Sequence, residues 1–237
     1  MVRYSVISNK NPREIIMLRG KGCGWRKCTF CDYHLDCSQN EQDNINLNRQ
    51  VMSKVCGIYH HLEVINSGSF TELPYTTLLD LKDLCEQKQI HTLHFECHWL
   101  YREQIFKWRE IFKSVGTDLK IKTGVESFDF DFRENFLRKG IAERSPEKIA
   151  VGFDECCLLF GLCGQNTQSM IADIETGLKY FERVCVNIFT KNKTKLNPDE
   201  AVIAQFLEKV APLYKDNDRV DILINNTDFG VGADGDE

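Results

Sequence analysis

The sequence lacks the marks of membrane, secreted and nucleic-acid-binding proteins. No apolar run approaches the ~18 residues of a transmembrane helix. Residues 1–7 contain no long apolar segment followed by a small-residue cleavage site, so we expect no signal peptide. The chain also lacks a basic surplus, because 30 Lys and Arg against 35 Asp and Glu give a net charge of −5. This balance disfavours a nucleic-acid substrate. We therefore expect a cytoplasmic protein with no membrane partner.

No proline- or serine-rich linker and no low-complexity tract divides the 237 residues. This length is sufficient for a sizeable hydrophobic core. We expect one domain over residues 1–237, with a core at about 12–215. Residues 216–230 would supply a last strand and a substrate-side loop, and residues 231–237 an acidic tail. The sequence does not indicate an oligomeric state.

Cysteine, in contrast, is abundant, with eleven residues. Without a secretory signal these thiols are expected to be reduced rather than paired in disulfides. Cys56, Cys85 and Cys185 sit on apolar faces and are expected to pack as small hydrophobic side chains. The later cysteines lack the paired short spacing of a second cluster; they are Cys156, Cys157, Cys163 and Cys185.

Short, mostly continuous apolar runs predict parallel strands that are buried on both faces. These runs are Glu14–Leu18, Leu62–Asn66, Thr92–Glu96, Leu119–Val125, Cys156–Phe160, Val184–Phe189 and Val220–Ile224. Amphipathic helical patterns lie between the runs. The alternation predicts an α/β fold with about six parallel strands and helices outside. A full eight-unit barrel needs ~250 residues, so an incomplete (β/α) barrel fits the length better.

Two of the helical patterns predict boundaries that the structure can test. Apolar residues at Leu47, Val51, Val55, Ile58 and Leu62 recur at helical spacing. Further along, Asn197-Pro198-Asp199-Glu200 predicts a helix start, with Asn197 as the cap and Pro198 at the first position.

Polar or glycine-rich segments follow the predicted strands. They are Asn66–Ser69, Glu96–His98, Glu126–Ser127, Gly161–Gln165 and Asn225–Asp228. In parallel α/β folds the carboxyl ends of the strands form the active site. We therefore expect these segments to surround one common site.

The first predicted strand leads into a loop that carries Cys23, Cys28 and Cys31 within nine residues. Three thiolates can hold a metal centre and leave one coordination position open for chemistry. A fourth ligand, His34 or Cys37, would instead close a structural zinc site. Structural thiols without a metal are the third reading of the same loop.

The cysteine loop, together with the segments after the later strands, resembles the radical SAM enzymes. The segment Cys28-Thr29-Phe30-Cys31 matches the family's last gap and its aromatic residue, although the first gap has four residues in place of three. Asn66–Phe70 resembles the glycine motif after strand two. Gly124–Ser127, followed by Phe136–Gly140, resembles the strand-four segment of the family. Gly161–Gln165 resembles the turn after strand five, with Cys163 in place of the usual proline. The resemblance covers residues 12–215.

The resemblance implies a radical SAM enzyme and a lyase. Cys23, Cys28 and Cys31 would bind three irons of a [4Fe–4S] cluster, and S-adenosylmethionine would chelate the fourth. An electron from a donor such as flavodoxin or ferredoxin would then cleave the cofactor to a 5′-deoxyadenosyl radical. The expected cofactor-binding residues are Phe30, Ser67, Gly68, Ser69, Glu96, Glu126 and Ser127.

The first cysteine gap, the Asn66–Phe70 segment and the chain length resemble the branch that acts on 7-deazaguanines. Asn187, Asp228 and His98 are the expected substrate-binding residues, because an Asp carboxylate can accept two N–H bonds from a guanine-like edge. A turn role for Asp228 and a packed His98–Trp99 pair are the structural alternatives. A radical SAM enzyme acting on modified tRNA or a peptide, and a zinc-binding interaction module without activity, remain as alternative functions.

Overall fold

The computed structural model describes residues 2–224, which fall into two compact units. Unit 1 comprises Met1–Arg26 and Tyr33–Lys122, and unit 2 comprises Lys27–Asp32 and Thr123–Glu237. Residues 225–237 lie outside the described residues, and with them Asp228 and the expected acidic tail. The single-domain organisation stays a prediction.

Unit 1 contains a mainly parallel ladder of strands. Strand β1 (Tyr4–Ile7) is antiparallel to β2 (Arg13–Leu18). From β2 the parallel ladder continues through β3 (His61–Asn66) and β4 (Thr92–Glu96) to β5 (Asp118–Glu126), whose last residues belong to unit 2. The register pairs Leu18 with Asn66 and Glu96 with Lys122. The polar segments therefore follow strand ends that lie side by side.

Three α-helices connect the strands of unit 1: α1 (Glu41–Met52), α2 (Tyr75–Lys88) and α3 (Ile105–Lys113). Short 3₁₀ turns cover Tyr33–Leu35, Phe70–Glu72 and Trp99–Gln104. Aromatic side chains join strand to helix in the core. The rings of Phe70 and Phe95 stack with their centroids 4.8 Å apart, and Phe112 meets Phe95 at 5.9 Å. This packing fixes the position of the turn that follows the predicted glycine motif.

Unit 2 repeats the strand–helix alternation. Its strands β6 (Glu155–Phe160), β7 (Arg183–Ile188) and β8 (Val220–Leu223) pair in parallel. Its α-helices are α4 (Pro146–Ala150), α5 (Thr167–Tyr180), α6 (Glu200–Gln205) and α7 (Ala211–Tyr214), with π-helical turns at Phe132–Phe136 and Phe206–Val210. Within residues 2–224, no helix has the length and apolar character needed to cross a bilayer.

The predicted α/β class is confirmed, and all seven predicted strands are present. Among the described residues, seven strands, β2 to β8, each pair in parallel with a neighbour, compared with the prediction of about six. The sequence analysis missed β1. Its residues are half-buried or exposed, so they carry no continuous apolar run.

Three local predictions were wrong. Helix α1 ends at Met52, and Val55 is buried from a loop while Ile58 is exposed. Helix α6 is capped by Asp199 rather than Asn197. Its carboxylate accepts from the backbone nitrogens of Ala201 at 3.1 Å and Val202 at 3.2 Å. Cys56 is exposed, whereas Cys85 and Cys185 are buried as expected.

Candidate functional site

In unit 1 the start of the cysteine loop, around Gly22 and Cys23, is a tight turn that Arg26 stabilises. Gly22 has a φ of +92°, which an L side chain rarely adopts. Arg26 donates from Nε to the carbonyl of Cys23 at 2.6 Å and from Nη2 to the carbonyl of Lys21 at 2.9 Å. The two bonds hold the backbone on both sides of Gly22. The thiol of Cys23 is half-buried and free.

A buried carboxylate joins this turn to the predicted glycine motif. Glu72 is 6% exposed and follows the motif in the 3₁₀ turn after β3. One of its oxygens accepts from the Gly24 nitrogen at 2.5 Å and from the Tyr101 hydroxyl at 3.0 Å. The other oxygen accepts from the Ser69 nitrogen at 2.7 Å. Burial, reinforced by the charge of Glu72, raises the pKa of Tyr101 to about 12, so its hydroxyl stays a donor.

The glycine motif approaches the cysteine loop closely. Ser67 and Ser69 are buried, and the Gly68 nitrogen donates to the carbonyl of Asn66 at 2.7 Å. A Cβ at Gly68 would lie 3.0 Å from the Cα of Cys23 and would also meet a Glu72 oxygen. Only glycine therefore fits between Cys23 and Glu72 without displacing one of them.

The ends of β4 place two further predicted residues in unit 1. Glu96 is half-buried and pairs in register with Lys122. His98 donates its backbone N–H to the Ser69 hydroxyl at 2.9 Å, and its ring stacks on Trp25 at 5.8 Å. Its ring nitrogen Nδ1 accepts from the nitrogen of Leu100 at 3.1 Å, which caps the following turn. His98 thus has a structural role beside its predicted role in binding.

In unit 2, Lys139 lies among the acidic groups of the site. Its Nζ is 2.7 Å from a carboxylate oxygen of Glu126, whose side chain is buried, and the Lys139 side chain is only 12% exposed. It also lies 5.6 Å from the ring centroid of Phe30. Burial alone would lower the pKa of Lys139, but Glu126 and the thiolates of Cys28 and Cys31 outweigh it and raise this pKa above its usual range. Lys139 is therefore a fixed positive charge beside two of the predicted metal ligands.

The segment that carries Cys28 and Cys31 is anchored within unit 2. Thr29 donates its backbone N–H to the carbonyl of Leu137 at 3.0 Å and its hydroxyl to the carbonyl of Phe136 at 2.9 Å. The carbonyl of Phe30 accepts from the side chain of Asn192 at 2.7 Å. The Phe30 ring packs against a buried apolar cluster made of Leu137, Leu159, Leu162 and Phe189.

The loop after β5 is organised around Asp173 of helix α5. This carboxylate accepts from the Ser127 hydroxyl at 2.8 Å and from the Phe128 nitrogen at 2.7 Å. Burial raises the pKa of Asp173 to about 6, although these two hydrogen bonds oppose the change. Ser127, which was expected to contact the cofactor, thus donates its hydroxyl hydrogen bond to Asp173. Glu126 adopts a φ of +67°, so the chain turns sharply at the end of the strand.

The expected substrate residues are only partly described. Asn187 lies half-buried in β7, in register with Leu159 of β6 and Leu223 of β8. Asp228 lies outside the described residues.

The donor set fits a cluster held by three cysteines. Cys23, Cys28 and Cys31 are all half-buried, and none of them forms a disulfide. Cys23 belongs to unit 1, and Cys28 and Cys31 belong to unit 2. Among residues 2–224, no three or more His, Cys, Asp or Glu side chains are already grouped as a metal ion would require. The ligand set as a whole therefore stays a prediction.

Four residues of these networks were missed in the sequence analysis: Glu72, Tyr101, Lys139 and Asp173. Glu72 had a readable signal, because Ser69-Phe70-Thr71-Glu72 has the spacing of a capping box and Glu72 accepts from the Ser69 nitrogen. Tyr101 and Asp173 act through tertiary contacts 29 and 46 residues away, to Glu72 and Ser127 respectively, which no local pattern records.

Neither protein-family models nor curated proteins gave a match to this chain. Solved structures did. SuiB from Streptococcus suis, bound to S-adenosylmethionine, is 14% identical with a TM-score of 0.52, over 90% of this chain and 50% of that one. At this level of identity the likeness shows a common fold and nothing further.

A queuine lyase from Clostridium spiroforme, bound to SAM and queuine, is far more similar. It is 40% identical with a TM-score of 0.91, over 97% of this chain and 98% of that one. The likeness extends over nearly the whole of both chains. The chain therefore belongs to the queuine lyase family of radical SAM enzymes.

Proposed function

We propose that this protein cleaves queuine by radical SAM chemistry and releases 7-aminomethyl-7-deazaguanine, a step that suits queuosine salvage. The observation that carries the proposal is the 40% identity, over nearly the whole of both chains, to a queuine lyase bound to SAM and queuine. The sequence independently resembles the branch of the family that acts on 7-deazaguanines.

Cys23, Cys28 and Cys31 would hold a [4Fe–4S] cluster. When bound, the cluster would supply the electron that cleaves S-adenosylmethionine to a 5′-deoxyadenosyl radical. The protein's part is to hold the thiolates and their surroundings. Arg26 fixes the backbone at Cys23, Thr29 anchors the segment between Cys28 and Cys31, and Lys139 places a positive charge beside Cys28 and Cys31.

The backbone of Ser67, Gly68 and Ser69 would bind the methionyl end of the cofactor. Ser67 and Ser69 are buried, and Gly68 lies against Cys23 and leaves room for a close approach. Glu96 and Glu126 end strands β4 and β5, and strand-end carboxylates suit ribose hydroxyls. Phe30 and Ser127 complete the proposed set of cofactor residues.

Asn187, His98 and Asp228 are proposed to bind the base. A carboxylate and an amide match the donors of a guanine-like edge. The enzyme would work in the cytoplasm, where its eleven cysteines, none of which forms a disulfide, stay reduced. A flavodoxin or ferredoxin would supply the electron.

The test is a reaction of the anaerobically reconstituted enzyme with SAM, a strong reductant and free queuine. Mass spectrometry should detect 5′-deoxyadenosine and 7-aminomethyl-7-deazaguanine together. The reconstituted protein should be brown, with absorbance near ~400 nm from thiolate-to-iron charge transfer. The variant Cys28→Ala should lose both colour and products, whereas Cys163→Ala, at an exposed cysteine outside the predicted set, should keep both.

Two outcomes would favour the alternatives. Products formed from queuosine-containing tRNA or a peptide, but not from free queuine, would point to a macromolecular substrate. A colourless protein that holds one zinc and no iron would refute the enzyme altogether.

A further inference from the structure

Glu72 holds a negative charge in the interior of unit 1 with neutral hydrogen-bond donors only. Its carboxylate is 6% exposed and accepts from Gly24 N, Ser69 N and the Tyr101 hydroxyl. None of the ion pairs of residues 2–224 includes Glu72. Burying a carboxylate without an ion pair is costly unless several hydrogen bonds stabilise it. The three donors around Glu72 offset this desolvation cost.

The three donors come from three separate segments. Gly24 follows Cys23 in the cysteine loop, Ser69 ends the glycine motif, and Tyr101 lies in the 3₁₀ turn after β4. One carboxylate therefore ties the predicted cluster loop to the predicted cofactor loop. The fit is tight, because a Cβ at Gly24 would meet both the Tyr101 hydroxyl and a Glu72 oxygen.

The bond from Gly24 has a second consequence. Backbone N–H groups that point at the sulfurs of a cluster raise its reduction potential, and nearby negative charge lowers it. Glu72 takes the N–H that follows Cys23 and places its own negative charge at the same point. Both effects act in the direction that reductive cleavage of SAM requires.

We propose that Glu72 is a positioning residue that locks the Cys23 segment onto the cofactor-binding loop and keeps the reduction potential of the bound cluster low. This inference rests on the proposed function, since it needs the cluster at Cys23. It assigns no contact between Glu72 and the substrate.

The test compares three variants of the reconstituted full-length protein. Glu72→Gln removes the charge and one acceptor, and Tyr101→Phe removes one donor and leaves the charge. Glu86→Gln makes the same charge change on the exposed side of α2 and serves as the control. The measurements are iron content, thermal unfolding, SAM affinity, and the midpoint potential of the cluster without SAM, followed by electron paramagnetic resonance.

Glu72→Gln should keep its iron and shift the midpoint potential to more positive values. Its affinity for SAM should fall about tenfold, the size expected when a charge-assisted hydrogen bond is lost. Tyr101→Phe should keep the wild-type potential and bind SAM roughly threefold more weakly, as the loss of a single hydrogen bond predicts. Glu86→Gln should match the wild type throughout.

Wild-type potential and SAM affinity in a folded Glu72→Gln protein would overturn the proposal. If Glu72→Gln fails to fold or to hold iron, Tyr101→Phe decides: weaker SAM binding at unchanged thermal stability supports the proposal, and unchanged binding overturns it. A wild-type protein that binds no iron would instead refute the proposed function and this inference together. The two failures are therefore distinguishable.

Discussion

At the scale of single residues, the pairing of Lys139 with Glu126 is a contact of unit 2 that we expect to be sensitive to substitution. The two groups are 2.7 Å apart, with side-chain exposures of 12% and 8%. Removing one partner of a buried ion pair leaves an uncompensated charge, which costs about 3–5 kcal/mol. We expect Lys139→Met to lower the free energy of unfolding by about 3 kcal/mol, measured by urea denaturation.

A double variant separates charge pairing from packing. Glu126→Gln with Lys139→Met removes both charges, so it should recover at least half of the loss caused by Lys139→Met. If the double variant is as unstable as the single one, the Lys139 side chain stabilises unit 2 by packing alone, and the ion pair contributes little.

Asp173 gives unit 2 a pH-dependent stability. Its folded pKa of about 6 lies above the ordinary value of 3.8, chiefly because the carboxyl group is buried. The folded state therefore favours the protonated acid. The resulting stabilisation is complete below about pH 4 and is lost as pH rises through about 6, a change on the order of 3 kcal/mol.

The pH effect can be isolated with Asp173→Asn. Between pH 5 and pH 7 the wild type should lose stability, and the variant should lose less, because its amide does not titrate. Denaturation curves of both proteins at the two pH values measure the difference. Parallel behaviour of the two proteins would show that other groups cause the dependence.

At the scale of elements, the start of α6 depends on the cap at Asp199. Its carboxylate accepts from Ala201 N and Val202 N, and its own N–H donates to the Gly161 carbonyl at 2.8 Å. Asp199→Ala should therefore cost about 1 kcal/mol of unfolding free energy, measured by thermal or urea denaturation. Asn197→Ala, two residues earlier, should cost nothing measurable. A reversed order would mean that the helix starts at the earlier residue.

The Asp199 example shows which elements sequence patterns can predict. Continuous apolar runs located all seven strands of the parallel ladders. Strands that are buried on both faces of a sheet are apolar at most positions, so they stand out in the sequence. Helix ends were less accurate, because an Asn-Pro pair and an Asp are both competent caps and the contact with Gly161 selects between them. Likewise, Val55 continues the helical spacing of α1 but is buried from a loop.

The candidate site shows the same difference between local patterns and contacts made through the fold. The cysteine spacing and the polar segments after the strands could be recognised in the sequence, since each is a local pattern. The hydrogen bonds that hold the loops of the site could not be predicted. Glu72 contacts Tyr101, and Asp173 contacts Ser127, only because the fold brings them together. Local patterns can thus nominate candidate site residues from sequence, whereas the groups that orient them become visible only in the fold.

At the scale of the whole molecule, net charge separates a free base from a nucleic-acid substrate. The chain carries a charge of −5, whereas proteins that neutralise several phosphates usually carry a basic surplus. A nucleic-acid ligand would therefore have to depend on local clusters of Lys and Arg, and its binding would weaken steeply with salt. A small base needs no cluster of Lys and Arg, and its binding should depend little on salt.

This difference yields the last prediction. For free queuine, kcat/KM should change by less than about fourfold between 50 and 200 mM salt, since at most one charge is neutralised on binding. A substrate held by six or more phosphate contacts would lose roughly a thousandfold or more of its affinity over the same interval. Parallel rates with free queuine and with queuosine-containing tRNA, measured at both salt concentrations, provide the check. A preference for tRNA that collapses at the higher salt would contradict the small-molecule reading, because it would show that phosphates, rather than the base alone, are bound.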